Sequence, residues 1–397
     1  MKALLLENIH PLAESILREA GIEVETRSGA LDEAELVDAL QGVDLVGIRS
    51  KTEITAEVLA QAPSVQAIGA FCIGTNQIAL SDAAAKGIVA FNAPFSNTRS
   101  VVELVIAEII VMARRLTEKD GALHQGVWDK NATGAHEIRG RKLGIVGYGN
   151  IGSQLSVVAE MLGLQVFFYD TDDKLALGNA HRCDSLEELL QTAEVITLHV
   201  DGRSGNAGFF GAEQFAMMRP RSLFLNLSRG FVVDYDSLRE NLESGHIAGA
   251  SVDVFPTEPK RRGDAFESPL QGIPNVILTP HIGGSTEEAQ EDIGRFVATK
   301  LRDFVHRGTT TLSVNLPSLT MEARPGGRRI SHLHLNTPGV LAKVNGILAD
   351  HGVNIEGQLL NTKGEVGYVV TDVADLPHEA LAQLKSMPET IRLRVID

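Results

Sequence analysis

The sequence predicts an α/β protein: two doubly wound parallel-sheet units in succession, then a small ferredoxin-like βαββαβ unit at the C-terminus. Three observations predict it. Short apolar runs of strand length alternate with helical segments twice over, from Ala3 to Phe91 and again from Lys142 to His281; alternation of that kind builds parallel sheets. One long apolar helical segment, beginning near Ser100 with Glu103 three residues on and ending near Leu116, separates the two series. After residue 327 the rhythm changes to strand, helix, two strands, helix, strand.

In the first series, Ala3–Leu6 reads as a buried strand. Pro11–Ala20 reads as a helix, with proline at its start and Gly21 just past its end. Ile22–Glu25 is the next strand. Asp32 and Glu35 form a capping-box pair that opens a helix to Leu40, and Gly42 follows it. Strands at Leu45–Ile48, Gln66–Gly69 and Ile88–Phe91 continue the pattern, with helices at 55–61 and 79–86. The second series runs through strands at 142–147, 165–170, 194–200, 222–228, 249–255 and 275–281. A helix over 285–306 carries the chain back towards the first unit. The stretch 313–327, with Pro317, Pro325, Gly326 and Gly327, reads as a linker. In the last unit, 339–351 is a helix with Val340, Leu341, Val344, Ile347 and Leu348 on one face.

The chain has 397 residues, 44% of them hydrophobic and 22% charged, which is globular composition with length enough for several domains. Its formal net charge of −15 argues against a nucleic-acid partner, which would need a basic footprint. An acidic chain that binds anions must gather its cations locally. The two cysteines, Cys72 and Cys183, stand in no metal or redox spacing and point to a reducing cytoplasm. The N-terminus has an apolar run interrupted by Glu7 and Asn8 and is not a signal peptide; 101–113 is too short and too charged to span a membrane.

Gly147, Gly149 and Gly152 form a G-x-G-x-x-G between a strand and a helical segment. The first glycine permits a tight turn, the second lets the backbone approach a pyrophosphate, and the third lets helix and strand pack closely. The phosphates then sit at the positive end of the helix. Asp170 closes the next strand, where a carboxylate accepts from ribose hydroxyls and repels a 2′-phosphate. NAD is the expected cofactor.

Three further residues fall at or just beyond strand ends of the same sheet, where ligands bind in open sheets. Arg229 follows LFLNLS, Glu258 lies between Pro256 and Pro259, and His281 follows VILTP. Each has a plain alternative: a surface charge, a loop residue, a helix cap. Together they are what hydride transfer from a 2-hydroxy acid needs. A His takes the hydroxyl proton, a paired carboxylate holds the ring and stabilises its charged form, and an Arg grips the substrate carboxylate and polarises the keto oxygen. Cys72 reads as a small buried residue rather than a nucleophile, since no base accompanies it. His332 and His334 share a strand face but lack further ligands, so no metal is expected.

Through GYGNIG, NLSRGFVVD, ASVDVFPTEP and TPHIGGST, the chain over about 1–315 resembles the D-isomer-specific 2-hydroxyacid dehydrogenases. The resemblance implies a discontinuous substrate domain of 1–97 and 288–315, an NAD-binding domain of 98–287, and an active site in the cleft between them. A linker of 316–327 and a unit of 328–397 similar to a regulatory ACT domain follow. Carried over residue by residue, it assigns catalysis to Arg229, Glu258 and His281. Cofactor binding falls to Gly147, Gly149, Asn150, Ile151, Gly152, Asp170, Leu227, Ser228, Arg229, Asp253, His281, Gly283 and Gly284.

FCIGTNQIAL and NAPFSNTRSVVELVIAEI narrow the resemblance to members that act on a phosphorylated hydroxy acid. It implies an anion grip by Arg49, Ser50 and Lys51, with Gly74, Asn97 and, across a subunit contact, Lys130. It also implies a homo-oligomer, a tetramer, and an amino-acid effector, L-serine, held by His334, Asn336 and Asn354. This chain departs from those members in three places: Lys51 replaces a second Arg, Ser28 replaces a Lys, and Asp201-Gly202-Arg203 follows LHV where Pro and Thr are usual. Two other readings stay open at this point. One is a dehydrogenase for an unphosphorylated 2-hydroxy acid of the glyoxylate or pyruvate type; the other is a regulator that binds NADH without turnover.

Overall fold

The computed structural model describes residues 1–259, 263–322 and 326–396. The chain divides into two compact units, one of Met1–Ser96 with Gln290–Asp397 and one of Asn97–Ala289.

The first unit begins with five parallel strands, β1 (Lys2–Leu5), β2 (Glu23–Thr26), β3 (Leu45–Ile48), β4 (Ala67–Ala70) and β5 (Val89–Phe91), in the order β2-β1-β3-β4-β5. Helices α1 (Pro11–Glu19), α2 (Glu33–Ala39), α3 (Ala56–Gln61) and α4 (Leu80–Ala85) connect them. The capping box at α2 forms as its sequence predicts: the Glu35 N–H donates to the Asp32 carboxylate at 2.9 Å, and the Asp32 N–H donates back to Glu35 at 3.2 Å. Strand side chains alternate between two apolar cores, Ala3 and Leu5 in one, Leu4 and Leu6 in the other, because both faces of a parallel sheet are covered.

The second unit opens with α5 (Thr98–Arg114). It ends where the sequence predicts, near Leu116: Arg115, with a left-handed backbone (φ 51°), caps it and precedes a second helix, α6 (Leu116–His124). An arm over 125–141 then leads into β6 (Lys142–Val146), α7 (Asn150–Met161), β7 (Gln165–Tyr169), β8 (His181–Arg182), α8 (Leu186–Thr192), β9 (Val195–Leu198), α9 (Ala212–Met217), β10 (Ser222–Asn226), α10 (Tyr235–Glu243), β11 (Ile247–Val252) and β12 (Val276–Leu278). The parallel sheet has the order β12-β11-β10-β9-β6-β7-β8. Val146 pairs with Tyr169 and Leu198, Leu198 with Asn226, Asn226 with Val252, and Val252 with Leu278. Six strands therefore end level on one edge, and the residues that follow them share it.

After α11 (Glu287–Arg307), the rest of the first unit is β13 (Arg328–Leu335), α12 (Val340–Asp350), β14 (Ile355–Lys363), β15 (Val366–Val373), α13 (His378–Lys385) and β16 (Thr390–Ile396). These strands form an antiparallel sheet in the order β14-β15-β13-β16. One face, with Ile330 and Val373, packs on α12 and α13 through Val344, Leu348 and Leu384. The other face contributes Leu333, Tyr368 and Val370 to the core that holds Phe91, Leu301 and Phe304.

This packing corrects the expected linker. Leu316 and Leu319 are buried in that same core, and Thr310 Oγ1 donates to the Pro317 carbonyl at 2.6 Å. A proline-containing stretch reads as a tether, but its leucines are buried. Pro325, part of that reading, lies outside the described residues.

Candidate active site

At the start of the level edge, Gly147 has φ 92°, and a Cβ there would stand 2.6 Å from the His199 carbonyl oxygen. A Cβ at Gly152 would meet the Gly147 carbonyl at 2.3 Å, so helix and strand close only with glycine. Gly149 has open space where a side chain would be. Asn150 and Ile151 form the first turn of α7, whose leading N–H groups face away from the helix body. These features fit a dinucleotide pyrophosphate. The Asp170 carboxylate is aimed by the Tyr148 N–H (2.7 Å) and the Asp172 N–H (2.9 Å). Changing Asp170 to Ser should relax the preference for NAD and raise kcat/KM with NADP, because the carboxylate repels a 2′-phosphate. Native protein that uses both nucleotides equally well would contradict this role.

Further along the edge, His281 Nδ1 lies 2.9 and 3.1 Å from the two Glu258 oxygens. Neutral His281 therefore carries its proton on Nδ1, which leaves Nε2 as the base. The Glu258 bond raises the His281 pKa above its ordinary value, against partial burial, with Asp253 adding to the rise. Burial pushes Glu258 up, but the His281 bond and charge, the Phe255 N–H and Arg229 more than offset it, so it stays below the ordinary range. His281 is left-handed (φ 55°), a conformation rare outside glycine and characteristic of residues held by a site. Asp253 braces the residues on either side of His281. It is 1% exposed; one oxygen accepts from Thr279 Oγ1 (2.6 Å) and the Ile282 N–H (2.8 Å), the other from the Gly283 N–H (2.8 Å). The residue assigned to cofactor binding thus also ties down the His281 loop. A Cβ at Gly284 would stand 2.1 Å from Asn97 Nδ2, which places Asn97 in this second unit rather than in the substrate domain assigned to it.

Arg229 Nη1 donates to the Ser228 carbonyl at 2.7 Å. Its backbone is fixed by Asn226, which donates to the Arg229 carbonyl (3.1 Å) and accepts from the Ser228 N–H (3.1 Å) and hydroxyl (2.8 Å). Asn226 also bonds the Tyr235 hydroxyl, which donates to the Val254 carbonyl at 2.6 Å. One buried network thus links the strand ends that bear Arg229 and lead to Glu258. A Cβ at Gly230 would fall 1.9 Å from the Phe255 carbonyl carbon, so only glycine lets these two segments touch. Leu227 and Ser228 are buried beside it. Sequence reading missed Asn226 and Gly230, which sit inside NLSRG, and Tyr235, which carried no signal.

Burial perturbs two further titratable groups. His199 follows β9, but burial pushes its pKa down to about 3, so it stays neutral and is no base in the working range. Glu108 on α5 is 3% exposed; burial raises it to about 7, partly offset by Ser251, with Asp253 adding to the rise.

Arg49, Ser50, Lys51 and Gly74 belong to the first unit, at the ends of β3 and β4. Cys72 Sγ lies 3.2 Å from the Gly74 carbonyl. Lys130 lies on the arm between α6 and β6, two residues from Trp128, which is 77% exposed. In the C-terminal sheet, His334 is buried with Nδ1 2.9 Å from the Leu335 carbonyl, and Nε2 has no partner. Asn336 donates to the Gly364 carbonyl at 3.0 Å, and Asn354 is exposed just before β14. Among the described residues, no three His, Cys, Asp or Glu side chains gather as a metal site, and no helix is long and apolar enough to cross a membrane.

Residues 106–283 match the model of the D-isomer specific 2-hydroxyacid dehydrogenase NAD binding domain, and residues 330–392 match an acetohydroxyacid synthase small subunit-like ACT domain. The chain is 48% identical over 400 residues to D-3-phosphoglycerate dehydrogenase of Escherichia coli K12, covering 100% of this chain and 97% of that one. It is 43% identical over 397 residues to the enzyme of that name from Dictyostelium discoideum, with the same coverage. D-lactate dehydrogenase from Aquifex aeolicus, solved with NAD and lactic acid, shares the fold at a TM-score of 0.67 and 24% identity, over 76% of this chain and 95% of that one. This chain belongs to the D-isomer-specific 2-hydroxyacid dehydrogenase family: it is an NAD-dependent oxidoreductase with an ACT domain.

Proposed function

We propose that this enzyme oxidises 3-phospho-D-glycerate to 3-phosphohydroxypyruvate with NAD, the first step of L-serine biosynthesis. The observation that carries the chemistry is the His281–Glu258 pair on the strand edge that bears Arg229 and the dinucleotide turn. Bound NAD supplies the hydride acceptor. His281 Nε2 takes the hydroxyl proton, Glu258 stabilises the imidazolium, and Arg229 holds the carboxylate and polarises the forming carbonyl oxygen. Leu227, Ser228, Gly283 and Gly284 line the cofactor's path along that edge. The pair speaks against a mere NADH sensor, and the cationic step at Arg49 and Lys51, with full-length likeness to enzymes named for a phosphorylated substrate, speaks against a glyoxylate or pyruvate enzyme. The same groups suit reduction of 2-oxoglutarate as a side activity.

Arg49, Ser50 and Lys51, with Gly74 and Asn97 and with Lys130 of a second copy, grip the phosphorylated substrate in this reading. Arg49→Ala should raise KM for 3-phosphoglycerate far more than KM for an unphosphorylated 2-hydroxy acid. Equal effects on both would place the phosphate elsewhere.

A homotetramer is the assembly we propose. Exposed Trp128 on its arm suits a cavity of about 550 Å³ in the same unit, lined by Ile109, Met112, Leu223 and Ile247, supplied by a second copy. Edge strand β14 presents Leu359 and Leu360 to solvent, a surface that suits ACT pairing. L-Serine is the proposed effector, with His334 Nε2 and the amides of Asn336 and Asn354 matching its carboxylate and ammonium groups. Millimolar L-serine should inhibit NADH formation, and Asn354→Ala should weaken that inhibition. Undiminished inhibition in the variant would remove the site, and none in the native enzyme would remove the effector. Cys72 and Cys183, which form no disulfide, fit a cytoplasmic enzyme.

A further inference from the structure

Glu7 follows β1 and is 8% exposed. It and Asn8 are consecutive non-glycine residues in the left-handed region, at φ 60° and 54°. Strain of this kind persists where surroundings over-determine it, and it gathers at functional sites. The turn carries the Glu7 carboxylate to the loop that leaves the neighbouring strand β3. One oxygen accepts the N–H groups of Arg49 (3.1 Å) and Thr52 (2.9 Å), and the other accepts that of Lys51 (3.1 Å). Gln77 holds the loop from its other side: its Nε2 donates to the Arg49 carbonyl at 2.6 Å and to the Gly74 carbonyl at 3.3 Å. Thr52 is fully buried, whereas Ser50 and Lys51 are exposed.

Closely spaced loop N–H groups form a concavity that suits an external anion. Here an internal carboxylate fills it, so an incoming anion meets the side chains of the loop instead of its amides. The backbone that carries those side chains is fixed before any ligand arrives, which lowers the ordering cost of binding.

We propose that Glu7 is a positioning residue for substrate binding, which sets the aim of the Arg49-Ser50-Lys51 step by capping its backbone with one buried carboxylate. This rests on the reading of that step as the site for the substrate's phosphate. Glu7→Gln keeps the shape, removes the charge and replaces one acceptor by a donor. KM for 3-phosphoglycerate should rise roughly tenfold, the size expected when charge-assisted hydrogen bonds are lost. The kcat and NADH affinity should stay at the native level, and amide hydrogen exchange at residues 49, 51 and 52 should accelerate. If Arg49→Ala raises KM and Glu7→Gln does not, Glu7 is only structural and the proposal fails while the phosphate site stands. If Arg49→Ala leaves KM unchanged, the phosphate site fails and the proposal with it. Should the Gln variant not fold, exchange in the native enzyme decides: these three amides should be as protected as those of β3, and rapid exchange would overturn the proposal.

Discussion

Turnover should fall about 10²–10⁴-fold when His281 is replaced by Ala, the usual loss when a general base is removed. NADH affinity should change far less than turnover, because the ring's main work is on the substrate hydroxyl and the dinucleotide turn follows β6. Near-normal turnover would mean that another group takes the proton. His199, held neutral by burial with a pKa near 3, offers no substitute. The pair also sets a pH dependence. His281 must be neutral to accept a proton, and Glu258 raises its pKa above the ordinary histidine value. Oxidation should therefore rise with pH through that raised pKa, and Glu258→Gln should move the rising limb to lower pH. A limb at the same pH in the variant would show that Glu258 does not act on the ring.

The second large effect concerns stability. Arg329→Ala should destabilise the first unit by about 3–5 kcal/mol, the cost of breaking a buried ion pair from one side. Arg329 Nε and Nη2 meet the two Asp372 oxygens at 2.7 and 2.8 Å, with both side chains 8% exposed. Its remaining donors reach the carbonyls of Arg307 (2.9 Å), Met321 (3.1 Å) and Glu322 (2.6 Å). The guanidinium thereby stitches the end of α11 and the connecting segment to the start of β13. Its removal leaves a carboxylate and three carbonyls to find new partners. Replacing both charged partners, Arg329→Met with Asp372→Leu, should recover much of the loss. Calorimetry on the three proteins checks this, and an Arg329→Ala loss below about 1 kcal/mol would match an exposed pair rather than a buried one.

Much of the fold was legible because both parallel sheets announce themselves as buried apolar runs that end in polar or glycine residues. The candidate site was legible for the same reason. Parallel strands end level, so Gly147, Asp170, Arg229 and His281 follow strand ends that form one edge. What was illegible depends on contacts between distant segments. Arg392 and Arg394 in IRLRVI alternate with apolar residues, the usual pattern of a strand with one face in solvent. Arg392 instead donates to the Val65 carbonyl at 2.6 Å, and Arg394 lies 4.4 Å over the Phe304 ring and donates to the Val305 carbonyl at 3.0 Å. A long stem with a planar head tolerates such burial once carbonyls are in reach, and local sequence does not show where those carbonyls will be. Glu7 is a second case: it reads as an interruption of an apolar run, and its three partners are more than forty residues away. The left-handed cap at Arg115 is a third, since nothing in ARRLTEK requires a left-handed residue.

Oxidation of 3-phospho-D-glycerate can be followed by NADH absorbance when the purified enzyme meets NAD and, in turn, 3-phospho-D-glycerate, D-lactate, glycolate and D-2-hydroxyglutarate. NADH should form with 3-phosphoglycerate at a kcat/KM well above that of every other acid in the panel, and that signal should be lost in the His281→Ala enzyme. Equal or greater kcat/KM with an unphosphorylated acid, or NADH binding without turnover of any of them, would contradict the proposed function.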